Sequence, residues 1–154
     1  MTKPNYTEIV LIVDSSGSMG RIQADTEGGV NTFIEEQKKV PGECKVTLVT
    51  FSTKHREHYV GKDIAEVPKF SLIPSGNTSL LDAIGHTINT VGARLSVLKE
   101  EERPNKVIFV ISTDGEENSS REFNRTQVFE MIQHQTNKYS WDFVFLGANQ
   151  DAIS

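Results

Sequence analysis

The sequence predicts an α/β domain: a doubly wound, mostly parallel sheet with one short antiparallel edge strand and helices on both faces. Three observations predict it. Short apolar, β-branched runs at 8–13, 45–51 and 106–111 alternate with longer stretches of helical periodicity. The first and last of these runs lead into aspartates, Asp14 and Asp114. The length, 154 residues, suits one domain with a two-sided core, and the whole chain, 1–154, reads as that one domain.

The run Glu8-Ile9-Val10-Leu11-Ile12-Val13 is continuous rather than alternating, as expected of a strand buried on both faces. A Gly/Ser-rich turn, 14–20, follows it. Residues 25–39 read as a helix with Val30, Phe33 and Ile34 on one face and Glu35, Glu36, Lys38 and Lys39 opposite. Asp25 or Thr26 is the expected cap, and Gly28-Gly29 weakens the helix by about 1 kcal/mol per glycine relative to alanine. Pro41-Gly42 stops it. The second strand is 45–51. A short third, 57–61, is close enough in sequence to pair with it antiparallel at an edge.

After the turn Pro74-Ser75-Gly76-Asn77-Thr78, Leu80, Leu81, Ile84, Ile88, Val91, Leu95 and Leu98 recur at helical spacing. The acidic run 100–102 ends that helix in solvent. The strand at 106–111 continues through Ser112-Thr113 into Asp114, and a polar loop, 115–120, leads to a helix near 125–137 with Val128, Phe129 and Ile132 inward. The last strand is 141–146. Strands alternating with helices imply right-handed crossovers, and in such sheets ligands bind beyond the carboxyl ends of the strands. Asp14 and Asp114 both fall there.

Charge and composition exclude some functions. The net charge is -5, and the 16 lysines and arginines are scattered, Lys38-Lys39 being the densest pair. That disfavours nucleic acid and anionic membrane as partners. The single cysteine, Cys44, forbids an internal disulfide and reads as an inert small residue. A polar N-terminus and the lack of any long apolar run predict a cytoplasmic protein.

Asp14-Ser15-Ser16-Gly17-Ser18 sets a carboxylate and two hydroxyls at alternating positions of a turn, so that all three converge on one point. Hard divalent cations take such oxygen ligands. One carboxylate and two hydroxyls are too little to close the shell, so other groups must complete it.

Asp14-x-Ser16-x-Ser18 after a buried strand resembles the metal-ion-dependent adhesion site (MIDAS) of von Willebrand factor A (vWA) domains. The stretch Gly76-Asn77-Thr78-Ser79-Leu80-Leu81-Asp82-Ala83-Ile84 resembles the family's threonine loop and following helix. Ile111-Ser112-Thr113-Asp114-Gly115 resembles its strand-end aspartate motif. The resemblance implies a Rossmann-like fold and a metal held by Asp14, Ser16, Ser18, Thr78 and Asp114. The metal would be Mg²⁺ or Mn²⁺, both of which suit oxygen ligands. It further implies a position left for an Asp or Glu side chain of a partner protein, hence a binding module and not an enzyme. Glu116 and Glu117 read as solvated loop charges, which would repel an acidic partner unless they supply a ligand or meet a basic rim. Stand-alone bacterial or phage members are the nearest analogy. The family's final strand and closing helix are expected to be missing from this sequence: either the natural protein is longer, or the last strand is an open C-terminal sheet edge available for self-association.

Two other classes stay open. A metal-dependent phosphoryl-transfer or hydrolytic enzyme would use the same strand-end aspartates. However, the haloacid-dehalogenase pattern needs an aspartate where Ser16 stands, and the last strand runs into Leu146-Gly147-Ala148-Asn149 without the lysine of a receiver domain. A self-assembling scaffold with a structural metal is the other. His55 and His58, three apart in a strand region, point to opposite faces and read as surface residues, as do His86 and His134 on helices. Met19 reads equally as core packing or as part of a binding face.

Overall fold

The structure, a computed structural model, describes residues 3–15, 17–53, 55–76, 78–112, 120 and 122–146. Five strands form one sheet: β1 (Lys3–Asp14), β2 (Glu43–Phe51), β3 (His55–Asp63), β4 (Pro104–Ser112) and β5 (Asp142–Leu146). Their order is β3-β2-β1-β4-β5. β1 runs parallel to both β2 and β4, and β4 runs parallel to β5; only β2 and β3 pair antiparallel. Among the described residues there are three α-helices: α1 (Gln23–Lys38), α2 (Leu80–Ser96) and α3 (Arg125–Tyr139). The expected fold class is what forms.

The continuous apolar run of β1 is explained by two separate cores. Successive strand side chains point to opposite faces. Ile9, Leu11 and Val13 join Val30 and Ile34 of α1, with Val46, Leu48 and Val110. Val10 and Ile12 join Leu80, Ile84, Ile88 and Val91 of α2 and Val128 of α3, with Phe51, Phe109 and Ile111. Each fully buried side chain of this size contributes about 1.5–3 kcal/mol. α1 therefore covers one face, and α2 and α3 cover the other. Trp141 stacks on Phe109 at 5.3 Å between ring centroids and closes the second core beside β5. Met19 is fully buried in the α1-side core, so the packing reading of that residue holds.

Several boundaries differ from expectation. β1 starts at Lys3, not Glu8. Glu8 is instead an interior strand residue with no exposure. It is tolerated there because the guanidinium of Arg94 on α2 pairs with Oε1 and the Tyr6 hydroxyl donates to Oε2 at 3.1 Å. Burial beside this carboxylate, together with the hydrogen bond to it, pushes the Tyr6 hydroxyl far up from its ordinary value.

Neither Asp25 nor Thr26 caps α1. A 3-10 turn over Gly17–Ile22 feeds straight into Gln23, so Asp25 sits in the first helical turn and Thr26 is buried. Phe129 does not point inward. It is 60% exposed while Val128 beside it is buried, because adjacent residues on a helix diverge by about 100° and Val128 takes the core-facing slot. α3 is capped by Asn124, whose Oδ1 accepts the Gln127 N–H at 2.8 Å while Gln127 Oε1 accepts the Asn124 N–H at 2.9 Å, a reciprocal cap.

The stretch between β3 and α2 carries no regular element beyond the short turn Ile64–Glu66, yet it is firmly held. Val67, Phe70 and Leu72 are buried against α1. Three α1 side chains spaced four apart grip its backbone. Asn31 donates to Phe70 O at 3.0 Å and accepts the Phe70 N–H at 2.7 Å. Glu27 accepts the Leu72 N–H at 2.6 Å, and Gln23 donates to Leu72 O at 2.9 Å. This strap delivers the chain to the carboxyl ends of β1 and β2.

Candidate functional site

The strand order reverses between β1 and β4: the connection leaving β1 leads to β2 on one side, and the connection leaving β4 leads to β5 on the other. A crevice at such a switch point is where open α/β sheets bind ligands. Asp14 is the last residue of β1, opposite Phe51 in the β2 register, and its side chain is wholly withdrawn from solvent. Val13 lies opposite Ser112, so β4 exits beside it.

Main-chain hydrogen bonds stitch the loops around Asp14 together. Ser15 donates its N–H to Phe51 O at 2.7 Å, and its hydroxyl donates to the same oxygen at 3.0 Å. Ser75 N–H donates to Ser15 O at 2.8 Å, and Gly17 N–H to Gly76 O at 3.0 Å. Ser79 N–H donates to Ser52 O at 2.8 Å, and its hydroxyl to Thr53 O at 2.8 Å. Gly76 has φ 76°, and a Cβ there would lie 2.9 Å from Thr53 Oγ1. Only glycine meets both demands at no cost. Thr78, 2% exposed, stands two residues before α2 within this stitched region.

Of the five residues expected to hold a metal, Asp14 and Thr78 are thus both buried and carried by loops bonded to one another. Ser16 and Asp114 lie outside the described residues, as do Glu116, Glu117 and the chain end. Ser18 falls in the 3-10 turn after β1, and nothing further is described of it. Among the described residues no group of three or more His, Cys, Asp or Glu side chains could hold a metal ion. The donor chemistry at hand is one carboxylate and hydroxyl groups, all hard oxygen, and this fits a hard divalent cation.

Sequence reasoning gave Asp82 no role, and the structure gives it one. One oxygen of its carboxylate accepts the N–H groups of Glu122 at 3.0 Å and Phe123 at 2.9 Å, while its own N–H donates to Ser120 Oγ at 3.0 Å. The Phe123 ring rests on Gly85, where a Cβ would approach it to 2.6 Å. His86, expected as a simple surface residue, pairs with Glu122 and meets the Phe123 ring edge-on at 5.2 Å. Spacing hinted at this, since Asp82, Gly85 and His86 share one helical face. Their partners lie some forty residues away, so sequence could not name them.

The other flagged groups are structural. His58 Nε2 lies 2.7 Å from Thr50 Oγ1, and burial, then Arg56, lowers its pKa. Cys44 is half-buried at the start of β2, and desolvation pushes its thiol up to about 11.

An open, mostly parallel sheet with loops gathered at its switch point is an α/β class that several families share, and the family follows from the sequence. The von Willebrand factor type A domain profile matches residues 8–151, and the chain belongs to that family. No curated protein matches the sequence. The fold is similar to a von Willebrand factor type A protein from Catenulispora acidiphila (13% identity, 95% of this chain and 33% of that one, TM-score 0.60). It is similar also to the manganese-loaded TRAP protein of Plasmodium vivax (18%, 94% and 59%, 0.60). A third is proximal thread matrix protein 1 from the mussel byssus with a zinc-occupied MIDAS motif (18%, 93% and 36%, 0.61). The chain thus spans a third to three-fifths of these chains' length. Among the described residues no helix is long and apolar enough to cross a membrane.

Proposed function

We propose that this chain is a divalent-metal-dependent protein-binding module whose metal is held by Asp14, Ser16, Ser18, Thr78 and Asp114. The observation that carries the reading is Asp14: a carboxylate fully buried at the switch point of the sheet, on a loop bonded to the one leading to Thr78. The manganese and zinc described for two structural neighbours make a divalent ion the natural candidate, and oxygen donors favour Mg²⁺ or Mn²⁺ in this chain.

When bound, the ion supplies a Lewis-acidic position for an outside carboxylate. The chain's own part is to orient the ligands. Asp14 provides charge from the rigid end of a central strand. Asp114 would add a second carboxylate, and the hydroxyls of Ser16, Ser18 and Thr78 are neutral, so the ion would stay electrophilic with its six-fold shell one donor short. An Asp or Glu side chain of a partner protein answers that shortage. The role is recognition rather than turnover.

Thermal melts of wild type and Asp14→Ala, with EDTA, Mg²⁺ or Mn²⁺, test this. Metal at 100 times its Kd stabilises by about 2.7 kcal/mol, a rise of roughly 5–10 °C for a domain of this size. The rise is expected in wild type and not in Asp14→Ala. An unchanged melting temperature in wild type at high metal would sink the reading.

A further inference from the structure

We infer that Asp82 is a positioning residue for the proposed metal site, locking the return of the β4 connection onto the helix that follows Thr78. This rests on the metal reading above. The connection leaves β4 at Ser112, in register beside β1. It returns at Ser120, Glu122 and Phe123, where four separate contacts fasten it to the first two turns of α2. They are the paired N–H groups of Glu122 and Phe123 on Asp82, the Asp82 N–H on Ser120 Oγ, the His86–Glu122 pair, and the Phe123 ring on Gly85.

Asp82 is the centre of this set. Hydrogen bonds to an ionised acceptor are about twice as strong as neutral ones. A negative charge in the first turn of a helix is also favoured by the helix dipole. Asp82 lies four residues after Thr78 at the head of the same helix. The element bearing the third hydroxyl and the element closing the β4 connection are therefore held as one body. Of the five proposed ligands, Asp114 is the one the connection carries, and its two flanks are fixed to β1 at one end and to Asp82 at the other. Groups that orient ligands from behind typically set metal affinity by about 10–100-fold.

The test is calorimetric titration of Mn²⁺ and of Mg²⁺ into wild type, Asp14→Ala, Asp82→Ala and Asp82→Asn, with amide hydrogen exchange of Glu122 and Phe123 in metal-free protein. Asp82→Ala is expected to weaken metal binding about 10–100-fold and to speed exchange at both amides. Asp82→Asn, which keeps an acceptor oxygen but not the charge, should fall between Asp82→Ala and wild type in both. Wild-type affinity in Asp82→Ala, with binding lost in Asp14→Ala, overturns the positioning role alone. Unchanged exchange at both amides in Asp82→Ala also overturns it, since the return of the connection would then be held without this carboxylate. Absence of metal uptake by wild type overturns the underlying reading and this role with it. Should Asp82→Ala not fold, Asp82→Ser, whose hydroxyl is too short to reach both amides, replaces it under the same criteria.

Discussion

Asn31 and Phe70 hold each other in both directions: the Asn31 amide donates to the Phe70 carbonyl and accepts from the Phe70 N–H, as a neighbouring strand would. A helix side chain thus stands in for a strand backbone, and the strap from Val67 to Gly76 is anchored without joining the sheet.

Asn31→Ala strips both bonds from a partly buried peptide unit, leaving a donor and an acceptor unanswered. The expected loss is about 1–3 kcal/mol, seen as a lower urea midpoint at unchanged slope. Asn31→Asp keeps the acceptor only and should fall between the two. An unchanged midpoint in Asn31→Ala would show that the buried Val67, Phe70 and Leu72, with the Gln23 and Glu27 bonds, hold the strap without it.

Breaking the Glu8–Arg94 pair should be costlier than removing it. Arg94→Ala leaves Glu8, with no exposure, facing the α2-side core uncompensated, at an expected cost of about 3–5 kcal/mol. The double variant Glu8→Leu/Arg94→Met should regain much of that loss, because two apolar groups need no partner. A double-mutant cycle in guanidinium chloride reads the difference. Additive losses would mean the pair is not coupled.

Glycines offer opposite signs. Gly28 and Gly29 lie within α1 with nothing within 4 Å of an added Cβ. Alanine at either position should stabilise by up to about 1 kcal/mol. Gly85→Ala drives a methyl into the Phe123 ring, and overpacking of this kind costs about 1–3 kcal/mol. Melting temperatures of the three variants decide, and a stable Gly85→Ala would show that Phe123 yields freely.

Stability should fall on the alkaline side. Desolvation holds the Cys44 thiol up at about 11 and the Tyr59 hydroxyl up at about 12, from ordinary values of 9.0 and 10.0. Both groups are neutral in the fold while the unfolded chain ionises earlier. Their contribution is complete below pH 9 and disappears as the pH climbs through 11 to 12. Unfolding midpoints across that range should decline, less so in Cys44→Ala. At pH 8 the thiol should react with iodoacetamide far more slowly in native than in denatured protein.

The sheet was legible in the sequence because its strands are buried on both faces, so Ile9 to Val13 and Val107 to Ile111 announce themselves by composition alone. The strap was not. Val67, Phe70 and Leu72 are too irregularly spaced to mark a strand, and Gln23, Glu27 and Asn31 look like an ordinary solvated helix stripe. Glu8 misled because a buried carboxylate is admissible only with Arg94, which lies 86 residues on. Asp14 and Thr78 were singled out by motif, but their burial comes from place, Asp14 ending a central strand and Thr78 following a loop bonded to the turn after it. Asp82 was hidden because its partners are main-chain N–H groups, which no residue letter records.

The bonds among the Ser15, Ser52 and Ser75 loops run mostly between main-chain atoms. Such bonds are blind to lettering. The exposed rim beside them, Ile73 and Arg56 included, is therefore free to drift under selection while the ledge beneath stays put. A scaffold of this design takes surface replacement without a new fold to be found each time.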